Sequence, residues 1–500
     1  MVTLVILDGF GESKQTFGNA IKSQGTPHLD KLKKLYPHTL LEASGEAVGL
    51  PKGIMGGSEV GHLTMGTGRI NLQDLKLIDS EIENGNFFKN PSLIKALTHA
   101  EKNQSNLHIM GLTSNEGVHG NIDHMFAILD FAKNFDIPNI YIHLITDGRD
   151  CGVKDSLKFV AEIEEKIAGT NAKIASAIGR VYAMDRDRRF DRTEKAYRLL
   201  YEAKGEKSNT AKEAIMKSHE DGIFDEFMEP AIIDENSTIK DGDSFILYNF
   251  RADRAREITY AMTDENFKEF ETKKINNFLY TAMCQYSDEL EKVNTLYRPT
   301  KVEDNLSSIL EKNDKKQFRV AETTKYAHIT FFFNGEIEPP YNGEERKLIE
   351  SINVKDFSGH PKMRAFEITE AALEAIASTK YDFVLINYSN PDMVGHTGNF
   401  QATKEAIECV EKQAYAVALA TLMAGGDCII TADHGNAELM IDKNGNKVTS
   451  HTTNPVPFIL VSEKHKKAKL KKGKSISTIA GTVLKLMGIE LPANFDEAIF

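Results

Sequence analysis

Short apolar runs that stop at aspartate, histidine or arginine constrain this chain more than any other feature. Residues 4–7, Leu-Val-Ile-Leu, run straight into Asp8. Residues 381–387 lead into Asn390, Pro391 and Asp392, with His396 four positions further on. Cys428, Ile429 and Ile430 lead into Thr431, Ala432, Asp433, His434, Gly435 and Asn436, and His451 follows within Ser450-His451-Thr452-Thr453. Apolar runs of strand length alternate with amphipathic helical runs almost throughout, which predicts α/β layers. The expected strands cover residues 3–7, 107–112, 140–145, 173–178, 245–248, 278–283, 381–386, 427–430 and 456–461. The expected helices cover 92–102, 155–167, 365–378, 402–423 and 476–487. Ligands in open α/β sheets bind beyond the carboxyl ends of strands, so the polar residues at these run ends are the functional candidates.

Carboxylate and imidazole delivered at strand ends suit divalent ions of the manganese or zinc type. Taken singly, an aspartate after a strand is usually a turn or cap, and a histidine is usually a hydrogen-bonded core or surface residue. Asp392-x-x-x-His396, Asp433-His434 and His451 within about 60 residues form a joint pattern that single-residue explanations do not cover. The chain therefore reads as a metal-dependent enzyme.

The 500 residues suffice for two or three domains, and 41% hydrophobic with 27% charged content is that of a water-soluble globular chain. A net charge of -12 argues against general binding to nucleic acid or acidic membrane, so an anionic substrate needs a local basic patch. Cys151, Cys284, Cys409 and Cys428 form no C-x-x-C pair, which points to a reducing compartment without a thiolate zinc site. The N-terminus lacks a signal-peptide pattern, and the longest apolar stretch, 414–424, is too short for a bilayer span. The lysine-rich stretch 464–474 reads as a solvated surface segment.

Four run ends in the middle of the chain carry a different chemistry. They hold Ser114 to His119, Asp147-Gly148-Arg149-Asp150, Gly179-Arg180 with Asp185 to Arg188, and Arg251-Ala252-Asp253-Arg254. Guanidinium forks match phosphate and carboxylate bidentately, so Arg149, Arg180, Arg186, Arg251 and Arg254 are candidates for an anion site, against the alternative of a solvated surface. His119 and Asp150 could handle protons among them. This block reads as a second α/β domain, residues 74–301, inserted into a first formed by 1–73 and 302–500. Linkers near 72–75 and 297–302, where Pro299 breaks the chain, would act as a hinge around a cleft.

Residues 51–62 form a glycine-rich loop in which Ser58 sits where a helix would begin. One reading makes Ser58 a helix N-cap. Beside a metal it becomes a candidate nucleophile, because a metal-bound serine ionises far more easily. Lys325, after the apolar run 318–321, could carry charge into a cleft between the domains.

Residues 4–11, 56–62, 147–150, 179–188, 251–254, 322–333, 390–398, 431–436 and 450–457, in that order, resemble the 2,3-bisphosphoglycerate-independent phosphoglycerate mutases over nearly the full length. The resemblance implies an alkaline-phosphatase-like domain with an inserted α/β phosphotransferase domain. It implies interconversion of 3-phosphoglycerate and 2-phosphoglycerate through a phosphoserine intermediate, in glycolysis and gluconeogenesis. Two divalent ions are implied, manganese first, with zinc or cobalt as alternatives. Asp392, His396 and His451 would hold one ion, and Asp8, Ser58, Asp433 and His434 the other. Ser58 would be the phosphorylated nucleophile, and Asp150 would deprotonate the accepting hydroxyl. His119, Arg149, Asp150, Arg180, Arg186, Arg251, Arg254 and Lys325 would bind phosphoglycerate. A monomeric cytoplasmic enzyme is expected, with a small-molecule substrate and neither nucleic acid nor membrane as partner. The chain departs from the family at Gly57, where asparagine is common, which puts the geometry beside the nucleophile in question. A metal-dependent phosphatase or another phosphomutase of the same superfamily is the second reading. A catalytically dead metabolite-binding protein is the third, although no nucleophile or ligand is missing.

Overall fold

The computed structural model describes residues 1–290, 293–298, 302 and 304–500. The chain forms two compact units, Met1–Gln73 with Lys301–Phe500 and Asp74–Thr300. Each has its own sheet and its own core. The expected break at Pro299 lies outside the described residues. At 72–75 the irregular stretch is shorter than expected: the helix Asp74–Glu83 takes in Leu75, with Ile78 in its buried face.

The sheet of the first unit runs Glu344–Ile349, Gln317–Glu322, Phe383–Tyr388, Val2–Leu7, Asp427–Thr431, Val456–Val461, His38–Glu42, Lys474–Ser475. The first five strands are parallel, and Val456–Val461 opposes both its neighbours. Val2–Leu7 is central and buried along its whole length, as the unbroken aliphatic run predicts for a parallel strand covered on both faces. Its register pairs Leu7 with Tyr388 and Ile6 with Thr431. Three neighbouring strands therefore end side by side, and Asp8, the Asp392 turn and Asp433 emerge from one edge.

The second sheet runs Asn294–Tyr297, Leu279–Cys284, Ser244–Leu247, Leu107–Thr113, Ile140–Thr146, Ala172–Gly179, Ala231–Ile232, Glu206–Lys207. All neighbours are parallel except Ala172–Gly179 with Ala231–Ile232. A buried polar row crosses it from Asp243 through His108 and His143 to Ser176, each group meeting the next at 2.8–3.1 Å. Such a row is tolerated in a core because its members satisfy one another. No helix among the described residues is long and apolar enough to cross a membrane.

Most expected strands and helices are present, with ends shifted by one or two residues. Short strands at or next to the sheet edges, such as Glu344–Ile349 and His38–Glu42, are not among the expected ones, because their exposed faces break the apolar pattern.

Arg319 is buried in the first sheet. Its guanidinium donates to the Ile329 carbonyl at 2.6 Å, to Gln317 Oε1 at 3.1 Å and to Ser307 Oγ, and its Nε lies 3.5 Å from Glu344. Burial pushes Arg319 down to about 10, with the Glu344 carboxylate pulling against it. Glu344→Gln keeps the shape but leaves that guanidinium without its counter-charge. We expect a loss of about 3–5 kcal/mol, read from urea unfolding followed by far-UV circular dichroism. An unchanged midpoint would show that the neutral acceptors alone sustain Arg319.

Candidate active site

Ser58 opens the helix Ser58–Thr67, and Gly57 is its N-cap, in extended backbone at φ -162° and ψ 164°. Ser58 thus lies inside the first turn and does not cap it. The helix backs closely onto the Asp433 turn. A side chain at Gly61 would come within 2.9 Å of the Asp433 carbonyl oxygen.

Around Ser58 Oγ the first unit assembles a charged cage. Oγ donates to Asp8 Oδ1 at 3.2 Å and lies 2.9 Å from His434 Nε2. Lys325 Nζ donates to Oγ at 2.6 Å and to Asp392 Oδ2 at 2.7 Å, and lies 2.7 Å from Asp8 Oδ1. Asp8, Asp392, Asp433, His434, Ser58 and Lys325 are all buried. Lys325 is thus seated within the cage of the first unit and does not reach out as a free charge. Three carboxylates share one ammonium where water is largely excluded, an arrangement that needs further positive charge.

The ionisation of these groups reflects that shortage. Burial and then the Asp433 carboxylate raise Asp8 above the usual carboxylate range. Burial also acts on Asp433, but His434, His62 and Lys325 outweigh it and hold Asp433 well below that range. Burial opposes the charge on Asp392 as well, and Lys325 with His396 and His451 holds it low. Lys325 is itself raised, because Asp8, Asp392 and Asp433 overcome the effect of burial.

His396 and His451 form the second part of the site. His396 Nδ1 lies 2.7 Å from the Thr449 carbonyl oxygen, and His451 Nδ1 lies 2.9 Å from that of Gly56. A carbonyl only accepts, so both Nδ1 atoms carry the proton, and the Nε2 atoms of the neutral rings present lone pairs. These Nε2 atoms are 3.1 Å apart, and each is 3.2 Å from Asp392 Oδ1. Two lone pairs and a carboxylate oxygen converging on one point could hold a divalent ion, with outer partners for both imidazoles in place. The hydrogen bond to Asp392 raises His396, while for His451 burial lowers and Asp392 more than restores, so a proton competes for the same lone pairs.

Ligand atoms of Asp392, His396 and His451 can meet on one ion, as can those of Asp8, His62 and Asp433, and those of Asp8, Asp392 and His434. Asp433 Oδ2 is buried without a hydrogen-bond partner among the described residues. The donor set, the surplus of negative charge and this orphaned oxygen all fit divalent metal.

The sequence reading missed the residues that aim these ligands. His62 Nδ1 donates to the Ser58 carbonyl at 2.8 Å and lies 3.3 Å from Asp433 Oδ2. Asn387 Nδ2 donates to Asp8 Oδ2 at 2.9 Å and lies 3.0 Å from His62 Nε2. Because both ring nitrogens of His62 are engaged, by the Ser58 carbonyl and by Asn387, we read it as a brace between the start of the Ser58 helix and Asn387 and not as a ligand. Asn436 Nδ2 donates to Asp392 Oδ1 at 3.0 Å. His62 and Asn436 lie within motifs already singled out, but nothing in their spacing distinguishes orienter from ligand.

The second unit gathers the guanidinium groups at the carboxyl ends of its own parallel strands. Arg180 is buried and donates through Nη1 to Asp147 Oδ1 at 2.6 Å and Asp150 Oδ2 at 2.5 Å. Asp147 is in turn held by the backbone N–H groups of Arg149 and Asp150 and by Ser114 Oγ. Asp253 collects Arg186 at 2.8 Å, Arg251 at 3.2 Å and His119 at 3.5 Å. Arg149 pairs with Glu226 at 2.7 Å, and Arg254 donates to the Met184 carbonyl at 3.0 Å. Burial, and then Arg186, Arg180 and Arg149, lower Arg254, the mark of guanidinium groups crowded together. Burial and Arg180 push His119 down to about 4, so it is neutral at physiological pH. Asp147 and Asp253, which hold this cluster in place, were not among the expected site residues.

Comparison with known proteins bears on both units. Residues 78–288 match the family described as BPG-independent PGAM N-terminus (iPGM_N). The chain is 45% identical over 497 residues to the 2,3-bisphosphoglycerate-independent phosphoglycerate mutase of Clostridioides difficile (strain 630), covering 98% of this chain and 97% of that one. It is 46% identical over 500 residues to the protein of the same description from Clostridium perfringens (strain SM101 / Type A), covering 99% and 97%. Among solved structures it is similar to Leishmania mexicana phosphoglycerate mutase at low cobalt concentration. That match has a TM-score of 0.62 and 32% identity, and covers 100% of this chain and 97% of that one.

Gly57 is where a departure from the resemblance stands out. A Cβ built there meets only the His451 ring, at 3.6 Å from Nδ1, an ordinary contact. Asparagine is also a better N-cap than glycine by a few tenths of a kcal/mol. We therefore expect Gly57→Asn to fold with an equal or slightly higher melting temperature and unchanged divalent-metal affinity. A destabilisation above about 1 kcal/mol, the usual worth of a whole N-cap, would mean that the loop needs a bare backbone here.

Proposed function

The chain belongs to the 2,3-bisphosphoglycerate-independent phosphoglycerate mutases, and from that membership we propose how its own residues carry the reaction. It interconverts 3-phosphoglycerate and 2-phosphoglycerate, a step of glycolysis, without 2,3-bisphosphoglycerate. The phosphatase-like role falls to the first unit and the phosphotransferase role to the second. The observation that carries this reading is Ser58 Oγ, within hydrogen-bond distance of His434, Asp8 and Lys325 in a buried cage.

Ser58 is the nucleophile. The Lys325 ammonium points a hydrogen at Oγ, which favours the alkoxide over the hydroxyl. Asp392, His396 and His451 would hold one divalent ion, and Asp8, Ser58, Asp433 and His434 the other. The bound ions would supply the positive charge that acidifies the serine and neutralises the phosphoryl oxygens. Manganese suits the mixed oxygen and imidazole set, with zinc and cobalt as alternatives. Attack by Oγ on phosphorus breaks the bond to the substrate hydroxyl, leaving phosphoserine and glycerate. Arg149, Arg180, Arg186, Arg251 and Arg254, with His119, hold glycerate while it turns to present its other hydroxyl. Asp150, oriented by Arg180, takes the proton of that hydroxyl as it recovers the phosphoryl group. A monomer suffices, since both residue sets lie on one chain, and a glycolytic substrate places the work in the cytoplasm.

Metal-loaded protein incubated with 3-phosphoglycerate alone should form 2-phosphoglycerate, and chelated protein should not. Ser58→Ala should abolish turnover without unfolding the chain, and mass spectrometry of quenched wild type should find phosphate on Ser58. Near-normal turnover by Ser58→Ala would exclude the phosphoserine route.

Isomerisation further demands that glycerate stay bound until transfer is complete. Arg254→Ala removes a contact worth about 1.5–3 kcal/mol, or roughly one to two decades of retention. Mutase turnover should fall, and the residual reaction should shift toward inorganic phosphate in single-turnover assays. If the product ratio is unchanged while both rates drop, Arg254 serves general binding or folding.

A further inference from the structure

Glu438 is fully buried and lies outside every set of ion-binding or substrate-binding residues named above. Its carboxylate nevertheless meets three separate loops. Oε2 accepts from the backbone N–H of Gly11 at 3.2 Å and from that of Asn436 at 2.8 Å. Oε1 accepts from Asn454 Nδ2 at 2.9 Å and from Thr452 Oγ1. Gly11 lies three residues after Asp8, Asn436 two after His434, and Thr452 directly after His451. Asn436 in turn donates to Asp392. The fit around the carboxylate leaves no slack: a Cβ on either Gly11 or Gly435 would overlap it. A backbone bond from Thr452 N–H to the Gly435 carbonyl at 3.0 Å joins two of the same loops. The Ser58 loop is tied in through His451 Nδ1 and the Gly56 carbonyl.

We propose that Glu438 is a positioning residue that fixes the Asp8, Asp433–His434 and His451 loops in one register and so sets the divalent-metal affinity of the paired centre. This rests on the metal-centre reading above. Glu438 is not itself a ligand, because four donors already occupy its two oxygens, about the capacity of a carboxylate. Its action is geometric. The Asp8 loop comes from a part of the chain more than 400 residues from the other two, as the separation of 427 between Gly11 and Glu438 shows. Backbone bonds join the loops in pairs, Thr452 N–H to the Gly435 carbonyl and Ala437 N–H to the Gly9 carbonyl, both at 3.0 Å, and Glu438 is the side chain that meets all three at once. Without it the pairwise bonds would hold the register more loosely, and the ions would have to complete the ordering on binding. Partners of metal ligands typically contribute 10–100-fold to metal affinity.

The test measures metal binding and leaves activity aside. Mn²⁺ affinity is read by calorimetry, and ligand geometry by the visible absorption of the Co²⁺-substituted protein. Glu438→Ala should weaken Mn²⁺ binding by roughly 10–100-fold and alter the Co²⁺ spectrum. Glu438→Gln should restore most of the affinity, since its amide oxygen can accept from the two backbone N–H groups and its NH2 can donate to Thr452 Oγ1 and, once the Asn454 side-chain amide turns over, to Asn454 Oδ1. If Glu438→Ala does not fold, Thr452→Val removes a single tether and should cost roughly five-fold in affinity. A folded Glu438→Ala, or in its place a folded Thr452→Val, that binds Mn²⁺ as wild type does would overturn the proposal. So would a Glu438→Gln as weak as Glu438→Ala, since charge and not tethering would then set the affinity. Wild type that binds no divalent ion would instead refute the metal-centre reading, which keeps the two failures distinct.

Discussion

The surplus of buried negative charge at one edge of the first sheet is the constraint from which the rest of this molecule follows. Asp8, Asp392 and Asp433 are delivered together because their strands are neighbours with aligned ends. Lys325 alone cannot balance them, and burial makes any imbalance costly. Much of the surrounding structure manages that imbalance. Asn387 and Asn436 donate to carboxylate oxygens, His62 and His434 face Asp433, and two imidazole lone pairs wait beside Asp392. A site so arranged is built for divalent cations and disfavours any state in which the cage has none.

The second unit uses the same strand-end geometry with the sign reversed. Its parallel strands end in arginines, and its aspartates serve as anchors. Asp147 accepts from four groups and thereby fixes Arg180 and the Arg149–Asp150 turn. Asp253 gathers Arg186, Arg251 and His119. Like charges crowded this way repel, so the anchors hold the guanidinium groups in a conformation they would otherwise leave. In the proposed role of this cluster, an anionic substrate would meet a preorganised set of donors, leaving less ordering for binding to accomplish.

Ser58, the proposed nucleophile, shows how local and long-range effects combine. The extended backbone at Gly57 lets a helix start at Ser58, and the partially positive N-terminal end of that helix lies at Oγ. Yet the groups that define its chemistry, Asp8, Lys325 and His434, come from three other strand ends.

Local sequence determined the α/β class, most of the central strands and long helices, and the residue types at their ends. Those properties follow from apolar periodicity and from which side chains can bind metal or phosphate, and both are visible over a few residues. The run-end motifs and the glycine-rich loop singled out Asp8, Ser58, Asp392, His396, Asp433, His434 and His451, and the resemblance gave each a role, but neither carried geometry. Only the tertiary structure decided that Lys325 sits inside the cage, that Gly57 and not Ser58 caps the helix, and that His62, Asn387, Asn436, Glu438, Asp147 and Asp253 hold other residues in place. Each has at least one partner tens to hundreds of residues away, up to 427 for Glu438 and Gly11. A hydrogen bond acts over about 3 Å, so its existence depends on strand order and register, which no local pattern encodes.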